Sequence, residues 1–164
     1  GSSLDETFRA ASSANNNIRT LGVALSPCIL PEVGKPTFEI KDDEIEIGMG
    51  IHGEPGIKRE KLKSANPLID DLCKRILDDF KLKDKDQVSI MINSLGATPL
   101  EELYIVSKRV HENFSKLNIE ITKSYVGRYA TSMEMAGMSI TILKLDNELK
   151  KYLLAQSECP FWNN

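Results

Sequence analysis

His52 carries the widest chemical options in this 164-residue chain, in the run Ile45-Glu46-Ile47-Gly48-Met49-Gly50-Ile51-His52-Gly53-Glu54-Pro55-Gly56. Apolar residues at 45, 47, 49 and 51 alternate with Glu46, Gly48 and Gly50, which predicts a half-buried strand ending at the histidine. Gly53 and Pro55-Gly56 then force a turn. Glycines at 48, 50 and 53 let another backbone or a small ligand come close, so His52 and Gly53 form the candidate binding pair. A neutral imidazole in that place can serve as base, metal ligand or nucleophile. It can equally do no more than cap a strand end. Glu54 can orient the ring through a hydrogen bond or project into solvent.

The other reactive residues point elsewhere. Cys28, Cys73 and Cys159 are scattered, with no Cys-x-x-Cys and no histidine at ligand spacing. That pattern favours reduced cytosolic thiols over a disulfide frame or a zinc site, and no metal is expected. His111, in Lys108-Arg109-Val110-His111-Glu112, reads as a solvated residue on a charged helix. Tyr104, Tyr125 and Tyr129 can wall a pocket, but core-edge aromatics are the commoner case, and Met49, Met91, Met133, Met135 and Met138 read as core filling rather than cofactor binding.

The elements that must position these residues alternate in period. Leu4 to Ala14 is predicted helical, with Leu4, Phe8 and Ala11 on one stripe. Ile18 to Ser26 is strand-like. Residues 27–43, broken by Pro27, Pro31, Gly34 and Pro36, hold at most a short strand near 37–40, and a charged loop follows the His52 strand. Asn66-Pro67 predicts a helix start, with Leu68, Leu72, Ile76 and Phe80 as its inner face. Asp86 to Asn93 is a buried strand. Thr98-Pro99-Leu100-Glu101 predicts a second start with a capping box, its stripe being Leu103, Val106, Val110 and Phe114. Strands at 119–129 and 139–145 and a short helix from Asp146 complete the chain. The turn 93–98 can bind an anion at a helix start or be a tight turn with a satisfied cap; it lacks the lysine of a Walker loop. The alternation indicates one α/β layered domain over residues 1–164, a mixed β-sheet flanked by helices.

Composition agrees. At 41% hydrophobic content the chain can bury one sizeable core. A net charge of −3 with interspersed signs gives no footprint for nucleic acid. The basic groups at Lys58, Arg59, Lys61 and Lys63, and at Lys81, Lys83 and Lys85, read as solvated faces. No apolar run approaches the roughly 20 residues of a membrane helix, and no signal-peptide pattern is present, so no membrane contact and a cytoplasmic location are expected.

Four motifs in order resemble the dihydroxyacetone (glycerone) kinases. Gly50-Ile-His-Gly-Glu-Pro-Gly56 is similar to that family's substrate-histidine segment. Leu21-Gly-Val-Ala-Leu-Ser-Pro-Cys28 with Gly34-Lys-Pro-Thr-Phe38 lies upstream of it. Asn93-Ser-Leu-Gly-Ala-Thr-Pro-Leu100 with Glu102-Leu-Tyr104, and Val126 to Thr141, lie downstream. The likeness runs from about Ser3 to Asp146. Met133-Glu134-Met135 stands where Leu-Asp-Met is usual, and Met138 where an aromatic is common.

The resemblance implies that His52 adds to the carbonyl of dihydroxyacetone as a covalent hemiaminal. It implies the carboxyl-terminal half of a substrate-binding subunit about twice this length, in keeping with roughly 100–200 residues per domain. The family's amino-terminal half carries a Gly-Gly-Gly-Ser-Gly-His-Glu-Pro segment and an aspartate for proton transfer; this chain has no triple glycine and no histidine besides His52 and His111. Implied partners are dihydroxyacetone, a nucleotide-carrying kinase subunit or domain, the missing half, and a second copy in a homodimer. No cofactor is expected on this chain, and alone it is expected to be inactive as a phosphotransferase. The other reading is a dihydroxyacetone-sensing coactivator that partners a transcription regulator and transfers no phosphoryl group. A third is a structural fragment that dimerises and binds nothing by itself.

Overall fold

The computed structural model describes residues 1–164. Its elements are α1 (Leu4–Asn16), β1 (Ile18–Ala24), β2 (Glu44–Ile47), β3 (Lys58–Lys61), α2 (Ala65–Asp79), β4 (Gln87–Ser94), α3 (Leu100–Lys116), β5 (Glu120–Gly127), β6 (Gly137–Leu145), α4 (Asn147–Leu153) and a small hairpin, β7 (Glu158–Cys159) with β8 (Trp162–Asn163). Six strands form one mixed sheet in the order β3-β2-β1-β6-β4-β5. Only β4 and β5 run parallel, joined by the crossover helix α3. The α/β layered architecture expected from the alternating pattern is the one observed. No helix is long and apolar enough to cross a membrane.

The core follows from period. Val88, Ile90 and Ile92 of β4 point to one sheet face, in register with Ile140 and Ile142 of β6. Onto that face α2 lays Leu68, Leu72 and Ile76, while α3 lays Leu103, Val106, Val110 and Phe114. Arg109 clamps the two helices by donating two hydrogen bonds to Asp70, at 2.8 and 2.6 Å. The opposite sheet face carries small polar residues, including Thr20 and Thr141, whose hydroxyls lie 2.9 Å apart across β1 and β6.

Several local expectations are corrected. The strand expected through Ile51 stops at Ile47, because Gly48 turns the chain at φ +83° and donates to the Gly22 carbonyl at 2.7 Å. Met49 is still buried, in a second small cluster with Ala24, Cys28, Leu95 and Met135, and Ile51 packs against it. The alternation beyond Ile47 thus reports a loop anchored at every second residue. The charged loop after it contains β3, an edge strand pairing Arg59 with Glu46 across to β2. Its alternating charges hide a strand and also blunt an open sheet edge. No strand forms near 37–40, where an isolated bridge joins Ile29 to Pro36.

Helix starts also shift. Ser64 takes the cap position of α2, with Asn66 and Pro67 inside its first turn. At α3 the cap position is Pro99, and Thr98 Oγ1 instead accepts the Gly137 N–H at 2.8 Å, tying the helix start to β6. A capping box of Ser3 with Glu6 begins α1. The apolar stripe of α1 does not face a core: Leu4 and Phe8 are 84% and 72% exposed.

Candidate functional site

The segment from Gly48 to Ile57 is a compact loop built around glycine. Gly48 and Gly53 both have left-handed backbones, φ +83° and +80°. The Gly53 N–H donates to the Gly50 carbonyl at 3.1 Å, and Ile57 N–H returns to the Ile47 carbonyl at 2.8 Å. Gly56 N–H donates to Glu46 Oε1, and Arg59 Nε donates to Oε2 of the same carboxylate at 2.8 Å. His52 is presented at the tip, its side chain 79% exposed.

Glu54 fixes the ring. Its Oε2 accepts the His52 backbone N–H at 3.1 Å and its Oε1 lies 2.9 Å from His52 Nδ1. Its own backbone N–H first, and the His52 ring second, hold the Glu54 carboxyl below its usual range. An ionised carboxylate only accepts hydrogen bonds, so Nδ1 carries the proton, and in the neutral imidazole the lone pair is then on Nε2. Of the two roles open to Glu54, the orienting one is the one observed. Gly50 makes room for it: a Cβ built there would collide with Glu54 Oε2.

His52 opens on a cleft of about 430 Å³, within the ~300–1,000 Å³ range of small-molecule sites. Ile51, Cys28, Leu30 and Thr37 line it with His52, and Arg128, Thr131, Ser132 and Met133 complete it. The four sequence motifs converge here. The loop after β1 is pinned by Glu134, whose Oε1 accepts the Ile29 N–H at 3.0 Å. The β5–β6 connection is pinned by Asn93, whose Oδ1 accepts the N–H groups of Tyr129 and Ala130 at 2.8 and 3.1 Å. Ser132 Oγ donates to the Leu95 carbonyl at 2.9 Å. The turn 93–98 is thus a buttress whose polar groups are spent: Gly96 N–H goes to Ser94 Oγ, and Ser94 Oγ–H to the Thr98 carbonyl.

Gly53 follows His52 in the chain and packs close to Thr37 of the cleft wall, on which a Cβ at Gly53 would press at 3.1 Å. Tyr125 and Tyr129 do not wall the cleft but pack with Trp162 of the terminal hairpin, at centroid distances of 4.6 and 5.7 Å. His111 is not merely solvated. Its Nδ1–H donates to the Ser107 carbonyl at 2.8 Å and its Nε2 shares a hydrogen bond with Ser124 Oγ at 3.0 Å, linking α3 to β5. Arg128, Thr131 and Ser132 went unremarked in the sequence as individual residues. No signal in the sequence sets Arg128 apart: like Arg19 and Arg59, it has no acidic residue three or four positions away. No group of three or more His, Cys, Asp or Glu side chains converges as a metal site.

Residues 1–161 match the Dak1 domain. The chain belongs to that family. This Dak1 domain is 49% identical over 148 residues to the dihydroxyacetone-binding subunit DhaK of the PTS-dependent dihydroxyacetone kinase 1 of Listeria innocua, covering 90% of this chain and 45% of the relative. Among solved structures it resembles the dihydroxyacetone kinase operon co-activator Dha-DhaQ, with a TM-score of 0.88 and 32% identity over 95% of this chain and 49% of that one. The dihydroxyacetone kinase of C. freundii in complex with AMP-PNP and Mg2+ matches with a TM-score of 0.82 and 28% identity, over 99% of this chain and 30% of that one. This Dak1 domain spans about half the length of the curated DhaK relatives it matches.

Proposed function

We propose that this Dak1 domain captures dihydroxyacetone covalently at His52, as the carboxyl-terminal half of the substrate-binding subunit of a dihydroxyacetone phosphotransferase. The observation that carries the reading is the asymmetric ring: Nδ1 is tied to Glu54, while Nε2 is unbonded on an exposed side chain at a small cleft. Nε2 attacks the ketone carbon and the carbonyl oxygen becomes a hydroxyl by taking a proton. The Nδ1 proton passes by way of Glu54 to water, and water returns one proton to the alkoxide, so one proton leaves the ring, one arrives at the oxygen, Glu54 ends ionised as it began, and the adduct is a neutral hemiaminal. Glycerol offers the same hydroxyls but no electrophile, so bond formation rejects it where weak hydrogen bonds alone would not. Gly53 supports the reading by letting Thr37 of the cleft wall pack close to the loop that carries the ring.

Phosphoryl transfer then draws on parts outside this chain: the other half of the subunit and a nucleotide carried by a kinase subunit or domain, with the subunit working as a homodimer. The likeness to kinase subunits supports this assignment. A second reading, a dihydroxyacetone-sensing coactivator, has its own support in the co-activator structure with a TM-score of 0.88. Both need His52. Dihydroxyacetone labelled with 13C at the carbonyl tests the shared step: the chain shifts the ketone resonance to the tetrahedral region, and His52→Ala abolishes the shifted signal. An undiminished signal in that variant refutes the assignment. Full-length protein with its nucleotide-carrying subunit separates the two readings, since only the phosphotransferase yields dihydroxyacetone phosphate.

A further inference from the structure

We propose that Arg128 is the anion receptor of the His52 cleft and takes the phosphate group of a short-chain ketose phosphate. The proposal rests on His52 as the site of carbonyl capture for its placement, but its own evidence is separate. Six arginines occur in the chain. Five are spoken for by carboxylates: Arg9 by Glu148, Arg19 by Asp79, Arg59 by Glu46, Arg75 by Glu60 and Asp71, and Arg109 by Asp70 and Glu112. Arg128 has no such partner. Its one hydrogen bond runs from a terminal guanidinium nitrogen to the Met133 carbonyl at 3.2 Å. A guanidinium has five donors in a planar fork, so most of the fork is free.

The surroundings select an anion. No aspartate or glutamate lines the cleft, and Arg128 is its one permanently charged residue, although the chain as a whole is net negative. The two hydroxyls beside it cannot substitute. Thr131 Oγ1–H is spent on the Ser132 carbonyl at 3.0 Å, and Ser132 Oγ–H on the Leu95 carbonyl. The backbone that carries Arg128 is held next door by Asn93, so the side chain starts from a fixed base. A free, anchored guanidinium fork matches phosphate oxygens better than it matches the neutral hydroxyls of a ketone. The cleft therefore offers two complementary ends, a nucleophile for the carbonyl carbon and a cation for a phosphate on the adjacent carbon.

Three probes separate the ends. Dihydroxyacetone has the carbonyl alone, glycerol 3-phosphate the phosphate alone, and dihydroxyacetone phosphate both. Calorimetric titrations of the 164-residue chain with each are compared for wild type, Arg128→Gln and Arg128→Lys. The expected result is that Arg128→Gln weakens glycerol 3-phosphate at least tenfold and lowers the preference for dihydroxyacetone phosphate over dihydroxyacetone at least tenfold. Arg128→Lys keeps part of both, and wild-type affinity for the two phosphates falls with added salt. An unchanged preference in Arg128→Gln, including one in which both ligands weaken together, overturns the proposal, as does wild-type glycerol 3-phosphate binding that ignores the substitution. Failure of dihydroxyacetone to form an adduct in wild type would instead sink the covalent reading, and the glycerol 3-phosphate comparison would still decide the role of Arg128.

Discussion

Removing the Glu54 carboxylate is the sharpest test of how the candidate nucleophile is held. Glu54→Gln keeps the size of the side chain but turns one oxygen into a donor. That side chain can no longer accept both the His52 N–H and the Nδ1–H, which the carboxylate takes at 3.1 and 2.9 Å. Carboxylates that orient a metal-bound histidine in this way are worth about 10–100-fold in affinity or activity, which sets the upper scale for an orienting partner. Glu54 is 58% exposed, so water replaces part of what is lost. Dihydroxyacetone affinity, read from the labelled carbonyl carbon, should weaken about three- to tenfold. Gly50→Ala reaches the same contact from the other side, because its new Cβ occupies the place of Glu54 Oε2. That contact is with the far end of a flexible side chain, so the fold survives and the carboxylate swings away. The double variant should then be no worse than the weaker binder of the two, as expected when both substitutions remove one interaction. Additive losses, or Glu54→Gln binding as wild type, would refute the orienting role.

Two further outcomes follow from the packing. Lys58 first and Lys63 second pull the Glu60 carboxyl down to about 2, and Arg109 followed by Asn113 does the same to Asp70. Both lie below the unfolded values of about 4.3 and 3.9, so their stabilisation is present above about pH 4 and is lost as pH falls toward 2. Glu60→Gln should therefore flatten the acid limb of a urea-midpoint-against-pH curve by about 1 kcal/mol after solvent screening, and an unchanged limb counts against the ion cluster. Phe8→Ser on the outer face of α1 should move the unfolding free energy by less than about 0.5 kcal/mol, because the ring is already in water; a loss of about 2 kcal/mol in chemical denaturation would mean that it packs.

The fold was legible wherever burial is periodic. Leu68, Leu72, Ile76 and Phe80, and Leu103, Val106, Val110 and Phe114, are spaced for one helix face, and each is buried. The same logic failed for Leu4 and Phe8, since periodicity reports that a helix has an apolar side and not whether this chain supplies the surface that covers it. It failed in another way at Thr98 and Asn66. A cap signature is local, but the Thr98 hydroxyl is claimed by Gly137 from a distant strand, and tertiary demand outranks a terminal hydrogen bond worth about 1 kcal/mol.

The site was legible for a different reason. His52 is legible through its glycines, whose left-handed angles and missing Cβ atoms leave a mark in the sequence, whereas Arg128 leaves none. What distinguishes that arginine is the lack of a neighbour, and a missing ion pair shows only when every other pair has been placed in space. The loop residues that do chemistry are thus of two kinds. Those that need an unusual backbone can be read from the chain, while those that need only an unclaimed charge must wait for the fold, because the five other arginines are satisfied by partners between 3 and 139 residues away.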